Sequence, residues 1–180
     1  DSASAGIDLG GGNIFKIEDD GPNAMVAEGE GVVLDMLVLD ESPVPPNGDG
    51  IVSTTANFAD NFVAPVDFGT DGPGSVSYSL LLSGANVGSG LYALDPTDTS
   101  DGDGDGIGQG DEILLSQVGN VITGSVGGTD YFTISINPDT GVVTFTQLNN
   151  IWHANTGNDD DSQALTTTVP SDLQVVQTVT

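Results

Sequence analysis

Ile113-Leu-Leu-Ser-Gln-Val118, Val121-Ile-Thr-Gly-Ser-Val126, Tyr131-Phe-Thr-Ile-Ser-Ile136 and Val142-Val-Thr-Phe-Thr-Gln147 are four β-rich runs separated by Gly119-Asn120, Gly127-Gly-Thr-Asp130 and Asn137-Pro-Asp-Thr-Gly141. Each run is too short for a stable helix and rich in β-branched and aromatic residues, and each connector carries the glycine, asparagine or proline that tight turns require. The stretch therefore predicts a four-stranded antiparallel meander. Gly119-Asn120 suits a two-residue turn of type I′ or II′, and Gly141 sits where a left-handed residue is wanted.

The same signals extend outward. Ser75-Val-Ser-Tyr-Ser-Leu80 alternates with period two and places Val76, Tyr78 and Leu80 on one face. Gly31-Val-Val-Leu-Asp-Met-Leu-Val-Leu39 is mostly apolar and predicts a strand buried on both faces, while Pro43-Val-Pro-Pro46 and Asn47-Gly-Asp-Gly50 forbid helix. Residues 51–74 carry scattered Phe58, Phe62, Val66 and Phe68 without a clear period. Ala164 to Val169 and Leu173 to Val179 are two further β-like runs, and no window of twelve or more residues has helical periodicity. The expected fold is all-β: an antiparallel β-sandwich of about eight to ten strands. The Gly-rich lead-in, the short strand Asn13-Ile-Phe-Lys-Ile17 and the stop Glu18-Asp-Asp-Gly-Pro22 predict that residues 1–20 form a junction from a preceding tandem module and that 21–180 form the domain.

Between Leu91-Tyr-Ala-Leu-Asp-Pro96 and Ile113 lies Asp101-Gly-Asp103-Gly-Asp105-Gly106-Ile107-Gly108-Gln109-Gly110-Asp111-Glu112. It fits the loop pattern D-x-D-x-D-G-x5-E, in which a short chain curls around Ca²⁺ and offers oxygens from successive positions. The candidate ligands are Asp101, Asp103, Asp105, the Ile107 carbonyl, Gln109, Asp111 and Glu112, with Gly106 at the sharp turn. Gly108 departs from the pattern, which places an apolar anchor there, and neither flank is helical. The loop is therefore expected as a Gly/Asp calcium-binding insertion between strands; an acidic, solvated linker is the plainer alternative.

Charge limits the partners. The 180 residues carry 27 Asp and Glu against one Lys or Arg, a formal charge of -26. Such a chain repels nucleic acid and anionic membrane, which are bound through Lys and Arg, and it gains from divalent cations. The chain has no cysteine, so metal rather than disulfide is the available staple in a calcium-rich extracellular setting. No apolar run approaches the length of a membrane span, and the start has no basic n-region. Catalytic signatures are absent: a Ser-His-acid arrangement would depend on His153 alone, without a nucleophile elbow, so an enzyme is not expected.

Three segments add a likeness. Asp67-Phe-Gly-Thr-Asp71-Gly-Pro-Gly74, Tyr131 to Gln147, and Ile151-Trp-His153 with Asn158-Asp-Asp-Asp161 resemble the repeat module of giant RTX adhesins secreted by type I systems, and Glu18 to Pro22 is similar to the seams between such modules. The resemblance covers about residues 15 to 175. It implies secretion to a bacterial cell surface, adjacent modules of the same long adhesin, and a peptide-binding role in which bound Ca²⁺ contacts the free C-terminus of a peptide on a host or partner cell. Asp101 and Asp103 would then stand at the ligand site, with Tyr92 and Trp152 as candidate groove walls. An open Ca²⁺ also suits a chain that has almost no side-chain cation for a carboxylate.

Other acids are candidate further ligands or merely turn residues: Glu18 and Asp20 at the junction, Asp71, Asp98 in Asp95-Pro-Thr-Asp98, and Asp159 and Asp161. The plainer reading of Tyr92, Tyr131 and Trp152 is core packing, and His153 is expected to be packed rather than ligating, because calcium prefers oxygen. The resulting expectation is a calcium-dependent adhesion module. A calcium-rigidified structural spacer and a calcium-dependent carbohydrate-binding module are its rivals.

Overall fold

The computed structural model describes residues 2–18, 34–40, 52–62, 74–98, 107–155 and 161–179. Among them the chain forms twelve strands: β1 (Ala3–Asp8), β2 (Gly11–Glu18), β3 (Leu37–Asp40), β4 (Ser53–Asn57), β5 (Val76–Leu82), β6 (Val87–Asp95), β7 (Gly108–Val118), β8 (Val121–Val126), β9 (Thr129–Ile136), β10 (Val142–Gln147), β11 (Ser162–Thr166) and β12 (Leu173–Val179). Only two short 3₁₀ turns, at Phe58–Asn61 and Pro170–Asp172, interrupt the β structure of the described residues.

The predicted meander is the centre of the largest sheet, whose order is β4-β10-β9-β8-β7-β6. Its turns follow their residues. Gly127 and Gly128 both take left-handed φ, 58° and 88°, the type I′ pattern that matches strand twist and that a side chain would strain. Alternation then sends Phe132, Ile134, Ile136, Val143 and Phe145 inward, all essentially buried. The inner face of β8 must accommodate the Phe132 ring: a Cβ on Gly124 would lie 2.4 Å from it, so only glycine fits.

Two three-stranded sheets, β1-β12-β5 and β11-β2-β3, complete the sandwich around one core. Phe15 from β2 meets Phe145 of the large sheet edge-on, with ring centroids 5.5 Å apart, and Phe145 meets Phe132 at the same separation. Such edge-to-face pairs add about 0.5–1.5 kcal/mol each to their area burial. Gln117 ties a second seam: its Oε1 accepts from Leu82 N at 2.7 Å and its Nε2 donates to Leu80 O at 2.7 Å, so a side-chain amide stands in for a strand along the edge of β5.

Three expectations change. Within the expected junction 1–20, the described residues 2–18 do not stand apart: β1 pairs with β12 over six positions, β2 pairs with β11 and β3, and Leu9 and Phe15 are fully buried. The run at 31–39 yields only the short strand β3 among the described residues. It buries Leu37 and Leu39 while Met36 stays 38% exposed, so it covers one face rather than two, and it runs parallel to β2. The count also exceeds the expected eight to ten strands, because β1 and the polar β4 give little apolar signal.

Candidate functional site

The Gly/Asp segment falls in the connection between β6 and β7, which pair antiparallel with Asp95 opposite Gly108. Its flanks are strands, as the sequence implied, so this is a hairpin loop and not a helix-loop-helix unit. Asp101, Asp103 and Asp105 lie outside the described residues, as do Asp20, Asp71 and Asp159. The structure therefore reports on the root of the loop.

Asp95 closes that root. Its Oδ1 accepts from Thr97 N at 2.8 Å and from Thr97 Oγ1 at 2.6 Å, and its carbonyl accepts from Asp98 N at 3.3 Å, an Asx-type turn that Pro96 preorganises. The Thr97 hydroxyl, then the Thr97 amide, hold the Asp95 carboxyl below its ordinary value of 3.8. Since the folded pKa lies below the unfolded one, the contribution of this turn is present above pH 4 and fades as pH falls through the folded value. Thr97→Ala is expected to raise the Asp95 pKa toward 3.8, read by NMR titration of its carboxyl carbon; an unmoved pKa would exclude Thr97 as the cause.

Gly108, the departure from the loop pattern, now has a physical reason. A Cβ there would lie 2.5 Å from Asp98 Cβ, so Asp98 fills the space an apolar anchor would need. Asp98 is thereby packed against the loop's own exit, next to half-buried Ile107, while Gln109 and Asp111 are exposed.

Two bulges re-aim β6 and β7. Between the pairs Gly88–Leu114 and Tyr92–Glu112, β6 carries Ser89, Gly90 and Leu91 against Ile113 alone; between Tyr92–Glu112 and Leu94–Gln109, β7 carries Gly110 and Asp111 against Ala93. Gly90 takes φ 71° and lies where a Cβ would come within 2.9 Å of the Thr166 carbonyl on β11, so the first bulge requires glycine. Buried Ser89 donates to Ile113 O at 2.6 Å, and Glu112 Oε1 accepts from Gly90 N at 3.0 Å. The Glu112 carboxylate thus lies along β6, over Gly88 and Gly90. Sequence reasoning assigned Glu112 to the loop and missed this second attachment; the glycine pair Gly88-x-Gly90 inside a strand is the signal that pointed to it. Glu112→Ala is expected to cost about 1–2 kcal/mol, since it strands the Gly90 amide, whereas Glu112→Gln keeps an acceptor oxygen and most of the stability. Urea denaturation of the two variants checks this; equal losses would sink the assignment.

Two adjacent grooves open at the root. One, of about 440 Å³, is lined by Asp111, Glu112, Leu114, Ser125 and Val126 among others; the other, of about 340 Å³, is lined by Asp95, Gln109, Asp111, Val126 and Tyr131 among others. Asp111 and Val126 are common to both. The aromatic wall is Tyr131; Tyr92 and Trp152 line neither of these grooves. They meet instead through the backbone, Trp152 N donating to Tyr92 O at 2.8 Å, and the Trp152 indole nitrogen is turned into the protein. One Asp161 oxygen accepts from Asn155 N at 3.1 Å and from Gln163 Nε2 at 3.4 Å. Glu18 ends β2, opposite Ser162 and Asp40. His153 is buried at 9% exposure, in keeping with a packed residue.

Every polar side chain in the two grooves is an oxygen donor or an amide, which suits a hard cation. Among the described residues no three His, Cys, Asp or Glu side chains stand close enough to hold a metal by themselves. A complete shell of about six to eight oxygens would draw on Asp101, Asp103 and Asp105 as well.

Over residues 36–180 the chain matches the family described as a domain of unknown function, DUF5801, and it belongs to that family. No curated protein and no solved structure matches it. The match begins just before β3, so β1 and β2 lie outside it although both are hydrogen-bonded into the sandwich.

Proposed function

We propose that this DUF5801 domain is a calcium-dependent adhesion module, secreted to a bacterial cell surface as one of several modules of a longer adhesin, that binds the free C-terminus of a partner-cell peptide or protein. The observation that carries the reading is the acidic loop Asp101 to Glu112 held on a strand hairpin whose root is lined by Asp95, Asp98, Asp111 and Glu112. Carboxylates gathered around one connection, in a chain with Lys16 and no other Lys or Arg, repel one another unless a cation joins them. The proposed ion is held by Asp101, Asp103, Asp105 and Glu112, with the Ile107 carbonyl and Gln109. Once bound it is the strongest local positive charge, and a peptide carboxylate entering the grooves beside Asp111 and Tyr131 has that charge to meet.

A structural spacer is the second reading. The attachment of Glu112 to Gly90 and the packing of Asp98 on Gly108 favour it, because an ion bound to a loop so anchored would stiffen the sandwich with no ligand involved. Calorimetry separates the two, using one peptide as free acid and as C-terminal amide, with calcium and with chelator. The adhesion reading expects heat only from the free acid with calcium. Equal signals in all four arms, or none in any, would reject it and leave the spacer.

A further inference from the structure

The face of the six-stranded sheet that is turned away from the core is chemically unlike the rest of the molecule. Ser53, Thr146, Thr133, Thr123 and Ser116 are successive register partners across β4, β10, β9, β8 and β7, a straight row of hydroxyls five strands wide. Two residues further along, Thr55, Thr144 and Ser135 begin a second row on the same face, which the exposed Val121 and Val118 complete on β8 and β7. Their neighbours in sequence, Ala56, Phe132, Ile134, Phe145, Ile122 and Leu115, are buried, so alternation turns the hydroxyls outward. All of these hydroxyl residues are exposed or half-buried, and the Ser53 and Thr146 oxygens lie 3.0 Å apart in a hydrogen bond along the row.

Charge sets this face apart further. In a chain of net charge -26, no outward position of β4, β10 or β8, nor of β9 and β7 beyond their first few residues, is acidic or basic. The nearby acids lie to one side of the rows or in turns: Asp111 and Glu112 in the first half of β7, Asp130 near the start of β9, and Asp139 in the turn between β9 and β10. A solvated face of so acidic a protein would be expected to share the charge; this one is neutral over two rows.

The occupant follows from the chemistry. Each hydroxyl both donates and accepts, and its hydrogen rotates to suit the partner. Strands lie about 4.8 Å apart, so the row presents one hydroxyl per strand at a spacing close to one pyranose ring in an extended glycan. A folded protein partner would need the aromatic or arginine anchors from which tight interfaces are built, and the rows offer none; Tyr131 stands only at their margin. Acidic polysaccharides are repelled by the acids around the rim. We propose that this face binds a neutral, extended polysaccharide chain laid across the strands along the row from Ser53 to Ser116. The inference does not rest on the calcium-dependent reading of the loop.

The test is affinity electrophoresis of the whole chain in gels containing dextran, soluble starch, galactomannan or hydroxyethyl cellulose, with alginate as the anionic control, all in the presence of chelator. Retardation by at least one neutral polymer and none by alginate is expected. The triple variant T123V/T133V/T146V keeps side-chain shape and β propensity while removing three central hydroxyls. It is expected to weaken retardation about tenfold or more, as is S53A/S116A to a smaller degree, a second variant confined to exposed positions that needs no core adjustment. Thermal melting establishes that each variant is folded. The proposal is overturned by no retardation in any neutral polymer with chelator present, even if adding calcium restores it, since such binding belongs to the loop; by retardation unchanged in both variants; or by self-association through this face in sedimentation of the unliganded protein.

Discussion

Replacing Phe145 by alanine is expected to destabilise the domain by about 3–5 kcal/mol. Phe145 is fully buried and is the shared member of two edge-to-face ring pairs, one with Phe132 on the neighbouring strand and one with Phe15 across the sandwich. Its removal leaves a cavity lined by two rings that belong to different sheets, which limits how far the site can collapse. For a domain of this size each kcal/mol corresponds to roughly 2–4 °C, so the midpoint of thermal unfolding should fall by roughly 6–20 °C. Because Phe15 lies in β2, outside the family match, deleting the first 20 residues should reproduce much of this loss. A truncated chain that melts like the full one would restore the junction reading.

The second large effect is expected from calcium. With the free ion at a hundred times its dissociation constant, a site present only in the native state contributes about 2.7 kcal/mol, and chelation should lower the melting midpoint by roughly 5–11 °C. Screening must be held apart from site binding, since any cation relieves a charge of -26. At about 0.15 M KCl exposed charges separated by more than about 8 Å are largely screened. An effect of chelator that persists there, and is absent from the double variant D101A/D103A, is assigned to the loop. A variant that still responds to chelator would place the ion elsewhere on the acidic surface.

How much of this was legible in the sequence depended on how local the deciding interactions are. The meander β7 to β10 was readable because each pairing is set by a turn a few residues away and each buried side chain alternates with an outward one. The pairings of β1 with β12 and of β2 with β11 join opposite ends of the sequence, as in Ala3 with Val179 and Glu18 with Ser162, and nothing within Ala3-Ser-Ala-Gly-Ile-Asp8 specifies so distant a partner. Ser53-Thr-Thr-Ala-Asn57 shows no clear period because its strand character comes from lying beside β10 rather than from its own apolar residues. At the loop, spacing made Asp101 to Glu112 a candidate but did not show the use of Glu112 by Gly90, since that contact exists only once β6 bulges. Tyr92 and Trp152 were singled out over Tyr131 as groove walls, yet strand register, not residue type, decides which tyrosine borders the open end.

The pairing of β1 with β12 also fixes how the domain answers a mechanical load. Ala3 stands opposite Val179 at the open end of an antiparallel ladder whose far end joins Asp8 to Gln174. Tension applied between Ala3 and Val179 therefore peels the two strands apart pair by pair instead of shearing six pairs at once. Each step ruptures only the bonds at the fork, so β1 is the element that yields first. A pulling experiment through these two positions should record a low-force extension before the main rupture, and the length released should correspond to the strand that ends at Asp8.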